Sequence, residues 1–233
     1  MTLPNRTRGF FITGTDTGVG KTLVACALLH AFAARGLRVV GMKPVAAGAQ
    51  LKNAVWINDD VEQLIAASNV AAPREVLNPY CFELPIAPHI AAGLQNKTIT
   101  NRCLCENYKR LSALADIVIV EGAGGFCVPL NDHETSADLA RDLALPVVLV
   151  VGMRLGCLNH ALLTAEAIRA RGLTVAAWVA NVLDPRMPYI GANIAALKGR
   201  LLAPMIGRID FFHQPDYANP AVIAPQFDLS ALL

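Results

Sequence analysis

Residues 14–22 read Gly14-Thr15-Asp16-Thr17-Gly18-Val19-Gly20-Lys21-Thr22. A loop of this kind works only between a strand and a helix, because that junction aims successive backbone N–H groups at one anion. Both neighbours are present. Phe10-Phe11-Ile12-Thr13 is a short apolar run fit for a buried strand, and Leu23 to Ala34 has helical spacing and strong helix formers. The glycines let the backbone turn back on itself, and the helix N-terminus adds about half a positive charge. Gly18, Val19, Gly20, Lys21, Thr22 and Leu23 are therefore expected around a nucleotide's phosphates. Lys21 is expected to reach the β- and γ-phosphates, and the Thr22 hydroxyl to ligate Mg²⁺. Five residues, not four, separate Gly14 from Gly20, which makes the loop a variant.

Alternating apolar runs and helical patterns follow. Strands are expected at 10–13, 38–43, 117–120, 146–151, 173–180 and 205–209. Helices are expected at 21–35, from 59 or 60 to 68, and at 102–115, 157–171 and 189–202. Residues 44–58, 69–100 and the last twenty read as mostly irregular. Strand, crossover helix and strand repeated this often predict an α/β fold, a doubly wound and mostly parallel sheet with helices on both faces, of the P-loop NTPase type. A chain of 233 residues suits one domain over 1–233. The 54% hydrophobic and 16% charged content fits strands buried on both faces.

Charge and cysteine usage exclude several classes. The net charge is +2 with no basic stripe, so neither nucleic acid nor an anionic membrane surface is an expected partner. No apolar run is long enough to span a bilayer. Phe10-Phe11-Ile12 is too short for a signal-peptide core, and no small-residue cleavage site follows it. The six cysteines lack C-x-x-C spacing, so they read as reduced thiols of a cytoplasmic protein.

In such a sheet ligands bind beyond the carboxyl ends of the strands, so strand-end residues far apart in sequence should converge. The first strand delivers the phosphate loop, the second Lys43 and the third Glu121. Glu121 opens Glu121-Gly122-Ala123-Gly124-Gly125 and stands where a carboxylate holds Mg²⁺ directly or through water, with glycines that allow close backbone approach. Asp60 is a second metal candidate, with Asp59 able to exchange roles, so the metal set is Thr22, Asp60 and Glu121. An ammonium at Lys43 stabilises charge on a transferred phosphoryl group. Asn181 ends a later strand. With Asp184 it fits a guanine, and alone it fits an adenine, the reading preferred here; Asp184-Pro185 is equally a plain turn start.

Several segments together resemble the dethiobiotin synthetases. They are the variant loop 14–22, Lys43-Pro44-Val45, Asn58-Asp59-Asp60, the proline-rich stretch from Pro79-Tyr80 to Pro88-His89, Glu121 to Gly125, and Val151-Gly-Met-Arg-Leu-Gly-Cys-Leu-Asn-His160. Their order spans nearly the whole chain. The resemblance implies a reaction in which 7,8-diaminopelargonate and CO₂ (supplied by bicarbonate) form a carbamate, ATP phosphorylates it, and the second amine closes a ureido ring, releasing ADP and phosphate. It implies Lys43, Lys21 and Thr17 as catalytic groups, Mg²⁺ as cofactor, and ATP held by 18–23, Asp60, Glu121 to Gly124, Asn181 and, around the adenine, Ile209, Asp210 and Phe211. Lys43 and Ala47 are implied to touch the substrate. So are Gly156, Cys157, Leu158 and Asn159 of a neighbouring subunit, which makes a homodimer with sites at the interface.

The chain departs from the family at three points. Ala47 stands where relatives carry a hydroxyl that touches substrate, Gly18 where some carry Glu, and Gly207-Arg-Ile-Asp210 where Gly-x-Ile-Pro is usual. Two other readings fit the first motif: an ATPase of the partitioning or amidotransferase-like branch, and a nucleotide-binding paralogue without turnover. The first usually carries an early loop lysine that Gly14-Thr15-Asp16 lacks.

Overall fold

The computed structural model describes residues 8–213 and 219–233. Six strands, β1 (Arg8–Gly14), β2 (Val39–Met42), β7 (Ile117–Glu121), β8 (Val147–Met153), β9 (Val175–Val182) and β10 (Met205–Ile209), form one parallel sheet in the order β10-β9-β8-β1-β7-β2. The strand order therefore reverses around β1, which places the ligand crevice at the carboxyl end of that strand.

Side-chain alternation sorts the core into two layers. Phe10 and Ile12 of β1 and Ile117 and Ile119 of β7 face α1 (Lys21–Ala33), joined by α2 (Asp59–Ala67) and by the C-terminal Phe227, Leu229 and Leu232. Phe11, Val118 and Val120 face the opposite way, as period-2 pleating requires. They meet α3 (Arg74–Leu77), α4 (Pro88–Leu94), α5 (Asn101–Ser112) and α6 (Ser136–Leu143). On that same face α7 (Cys157–Ala170) and α8 (Ile190–Lys198) cover Leu149, Val151, Trp178 and Ala180. Both faces are thus dry, which explains continuous apolar runs such as Ile117-Val118-Ile119-Val120.

The structure corrects the irregular assignments. Residues 45–57 contain β3 (Val45–Ala47), β4 (Gln50–Lys52) and β5 (Val55–Ile57), and residues 74–94 contain α3, β6 (Tyr80–Phe82) and α4. Strand β3 exists because it pairs with β6 some 35 residues away, Val45 opposite Tyr80; no local pattern announces a three-residue strand. The β4–β5 hairpin turns through Asn53 and Ala54, both at positive φ (49° and 62°). Such a turn is normally signalled by Asn-Gly, and alanine hides it. Helix α6 was not expected either. It is short and polar, and is set by a capping box between Thr135 and Asp138. A short helix α9 (Pro220–Ile223) and a 3₁₀ turn at Ala224–Gln226 order part of the C-terminal segment against α1.

Candidate functional site

Strand parity builds the centre of the site. Glu121 continues the Ile117–Ile119 face of β7, and Lys43 follows Val40 and Met42, which face away, so both side chains turn toward α1. The parallel register sets Met42 beside Val120 and Ile12 beside Glu121, so the ends of β1, β7 and β2 lie side by side. The Thr22 hydroxyl, one residue into α1, donates to Glu121 Oε1 at 2.8 Å. Lys43 Nζ donates to the same oxygen at 2.5 Å and to Asp60 Oδ2 at 2.8 Å. Lys43 is only 5% exposed and Glu121 1%.

Asp60 arrives by helix capping. Asn58 caps α2, its side-chain Oδ1 accepting from the Asp60 and Val61 N–H groups at 3.1 and 3.4 Å, while its side-chain Nδ2 donates to the Ala47 carbonyl at 3.1 Å. The cap turns Asp60, not the exposed Asp59, toward Lys43. Burial disfavours charge on Lys43, but the Glu121 and Asp60 carboxylates outweigh it and hold the ammonium above its ordinary range. Burial likewise opposes charge on Asp60, and Lys43 reverses this and lowers it.

The phosphate loop is held from outside. Gly20 caps α1 at φ 89°, a left-handed conformation suited to glycine, and no side chain caps the helix. The first N–H groups of α1 therefore face the cavity without a side-chain partner of their own. Thr15 N donates to Val150 O at 3.0 Å, and Asn181 Nδ2 to Val19 O at 2.8 Å. The Asp16 carboxylate accepts from Thr17 N at 2.7 Å and pairs with Arg154, just beyond β8. Lys21 Nζ rests on the Asp16 carbonyl at 3.0 Å. Burial, then the neighbouring Lys43 ammonium, pull Lys21 down to about 8.

These groups open onto a cavity of about 830 Å³. Its polar floor is Thr17, Gly18, Gly20, Lys21, Thr22, Lys43, Asp60 and Glu121 with Ala123 and Gly124; its other wall is Val45, Ala47, Pro85, Ile86, Ala87, Pro88 and Val128. Of the residues expected from sequence, Thr17, Gly18, Gly20, Lys21, Thr22, Lys43, Ala47, Asp60, Glu121, Ala123 and Gly124 line this one cavity, whereas Val19, Leu23 and Gly122 do not. Asn181, Ile209, Asp210 and Phe211 do not line this cavity. Asn181 and Ile209 are paired in register at the ends of β9 and β10, behind the loop. Gly156, Cys157, Leu158 and Asn159 lie outside it as well, at the start of α7, whose Gly156 cap (φ 95°) also lacks a side-chain partner. Sequence reasoning missed Asp16, Arg154 and the wall from Pro85 to Pro88. The prolines were the available signal for the wall; nothing in sequence links Arg154 to a loop 138 residues away.

The donors suit a small hard cation. Among the described residues no cluster of three or more His, Cys, Asp or Glu forms a cage. Glu121 Oε2 is buried and unpartnered, and a hydroxyl and a second carboxylate stand beside it. That is the habit of Mg²⁺, which takes one or two carboxylates and completes its shell with phosphate oxygens and water.

Comparison with known proteins decides the family. A model described as "AAA domain" matches residues 8–218. The ATP-dependent dethiobiotin synthetase of Nitrosospira multiformis is 56% identical over 90% of this chain and 91% of its own length, and that of Aromatoleum aromaticum 52% identical over 92% and 95%. The chain belongs to the dethiobiotin synthetase family. It is accordingly a ligase of biotin biosynthesis that uses ATP, and the partitioning-ATPase reading is not favoured. Solved structures share the fold alone: a ParA family ATPase from Chlorobium tepidum (TM-score 0.57, 15% identity, 98% of this chain and 91% of that one) and MinD with Mg-ADP from Pyrococcus horikoshii (0.53, 18%, 88% and 81%). Among the described residues no helix is long and apolar enough to cross a membrane.

The three departures from the family's pattern now have places. Ala47 lines the cavity beside Pro85. Gly18 is exposed, with open space where a Cβ would stand. Asp210 is exposed just after β10 and pairs with Arg208 at 2.6 Å.

Proposed function

We propose that this chain, working as one domain, converts 7,8-diaminopelargonate, CO₂ and ATP to dethiobiotin, ADP and phosphate. One observation carries the assignment of roles. A polar, metal-competent floor built from Lys21, Lys43, Thr22, Asp60 and Glu121 faces an apolar wall across a single cavity. The floor suits the phosphates and the carbamate; the wall suits the alkyl chain of the diamine.

The chemistry asks for positioning and charge neutralisation more than for covalent help. One amine of the substrate adds to CO₂ and loses a proton, giving a carbamate. A carbamate oxygen then attacks the γ-phosphorus, the bond to the bridging oxygen breaks, and ADP departs. The second amine attacks the carbonyl carbon of the resulting carbamic-phosphoric anhydride, and phosphate leaves as the ring closes. Lys43, at the boundary between floor and wall, holds the carbamate and neutralises charge that grows during transfer. Lys21 and the uncapped N–H groups of α1 hold the phosphates. The Thr17 hydroxyl, exposed on the loop, orients the carbamate. Thr22, Asp60 and Glu121 hold Mg²⁺, which when bound draws charge from the phosphate oxygens. Asn181 offers its amide oxygen to the adenine amine while its nitrogen holds Val19, and Ile209 to Phe211 flank the base.

A homodimer completes the site. The N-terminus of α7 at Gly156 to Asn159 suits a carboxylate, and Leu155 and Leu163 are exposed beside it, at 95% and 56%. Partner and carboxylate are both supplied if two chains meet there. The test is direct. Purified protein given the diamine, bicarbonate, Mg²⁺ and ATP should yield a product of dethiobiotin mass with ADP release that depends on the diamine. ATP turnover indifferent to the diamine would refute the assignment.

A further inference from the structure

Lys43 lies 2.8 Å from Asp60 Oδ2 and 2.5 Å from Glu121 Oε1, and Thr22 donates to that same Glu121 oxygen. These are the groups proposed to hold Mg²⁺. An ion at about 2 Å from either oxygen would stand within about 5 Å of the ammonium, where like charges in a poorly screened pocket repel strongly. An ion held through Glu121 Oε1 or Asp60 Oδ2 therefore competes with the ammonium for those oxygens, and one held through the unpartnered Glu121 Oε2 still meets its charge at close range.

We infer that Lys43 is the resident counter-cation of the nucleotide-free site, so that a divalent ion enters only together with nucleotide and displaces the ammonium as it does. The inference rests on the metal reading given above. Charge balance supports it. Two carboxyl groups, Asp60 and Glu121, stand with two ammonium groups, Lys43 and Lys21, on one cavity floor, and Lys43 bridges both carboxyls, so the floor's formal charges balance before any ligand arrives. A bare divalent ion would add two uncompensated positive charges there, whereas a magnesium–ATP complex carries net negative charge. Mechanics support it too. The Lys43 main chain is fixed, its N–H donating to Leu77 O at 2.9 Å and its carbonyl accepting from Asn78 Nδ2 at 2.7 Å. Only the flexible side chain need move, and it lines the cavity into which it would swing. The same displacement delivers the ammonium to the phosphates and the carbamate, so one side chain guards the metal site and then serves the transfer.

The experiment uses Mn²⁺ as the probe, with binding followed by electron paramagnetic resonance on the full chain and on Lys43→Met, with and without a non-hydrolysable ATP analogue. Without nucleotide, the wild type is expected to bind Mn²⁺ weakly and Lys43→Met at least about tenfold more tightly, with the gain lost in Lys43→Met/Glu121→Gln. Equal affinities without nucleotide, while both proteins bind Mn²⁺ in its presence, overturn the inference and leave the metal reading standing. If the wild type with analogue holds no Mn²⁺ beyond what the free analogue carries, the metal reading itself fails and the inference with it. Nitrogen-15 spectra of the lysine ammonium groups in the wild type test the same point without a variant. The Lys43 signal should stay put with Mg²⁺ alone and shift with Mg²⁺ plus analogue. A signal unmoved by the latter overturns the inference.

Discussion

Lys43 and Glu121 are readable from sequence because each is the first charged residue after a run of buried apolar ones, and a parallel strand delivers its last side chain to the crevice. Asp60 is harder to read. Asp59 and Asp60 look alike until Asn58 is seen to cap α2, which then points one of them inward. Arg154 is not legible at all, because its partner Asp16 is brought to it only by the pairing of β1 with β8. Two predictions belong to this scale. Lys43→Ala should lower turnover by about 10² to 10³ while weakening nucleotide binding much less, since its charge is needed most in the transition state; steady-state kinetics beside direct nucleotide titration separates the two. Lys21 titrates near 8 in the free protein, below its ordinary value, so its neutral form is populated above that pH. Phosphates favour the ammonium and raise this value. Nucleotide binding at pH 8 to 9 should therefore take up protons, and calorimetry in buffers of different ionisation enthalpy should show it. Binding heats independent of buffer would contradict the assignment.

At the scale of elements, helix starts differ in how they are closed, and α3, α4 and α8 lack a side-chain cap. α2, α5 and α6 are capped by the side chains of Asn58, Thr100 and Thr135. α1 and α7 begin at glycines in left-handed geometry and carry no side-chain cap. Glycine at those positions is plain in sequence, whereas α6 gives only a brief periodic signal because it is short and polar. The Asn58 cap has a second task, since its amide also holds the Ala47 carbonyl. Asn58→Ala should therefore cost about 1 kcal/mol of stability, as lost caps do, and should also raise the Mg²⁺ concentration needed for half-maximal rate, because Asp60 loses its orientation. Denaturant melts and metal titrations of the variant report the two effects separately. A stability loss with an unchanged metal requirement would restrict Asn58 to a structural role.

For the whole molecule, the doubly wound order was legible because apolar strands and amphipathic helices alternate so regularly. The β3–β6 pair was not, since it depends on contacts between distant short segments. The site is likewise a property of the assembled sheet: β1, β2 and β7 supply the floor, and the proline-rich segment supplies the wall. If a second copy supplies α7, two defects on different chains should complement. Lys43→Ala and Asn159→Ala homodimers, each impaired, should regain turnover when mixed and allowed to exchange subunits, because one site of the hybrid is intact. Absence of any gain, with exchange verified by mass, would refute a shared site. The most direct test of the proposed chemistry follows the carbamate oxygen. With ¹⁸O-labelled CO₂, phosphorylation of a carbamate oxygen must carry label into the released phosphate as dethiobiotin forms. Labelled phosphate is the predicted result; dethiobiotin accompanied by unlabelled phosphate, under conditions where the CO₂ keeps its label, would contradict the account.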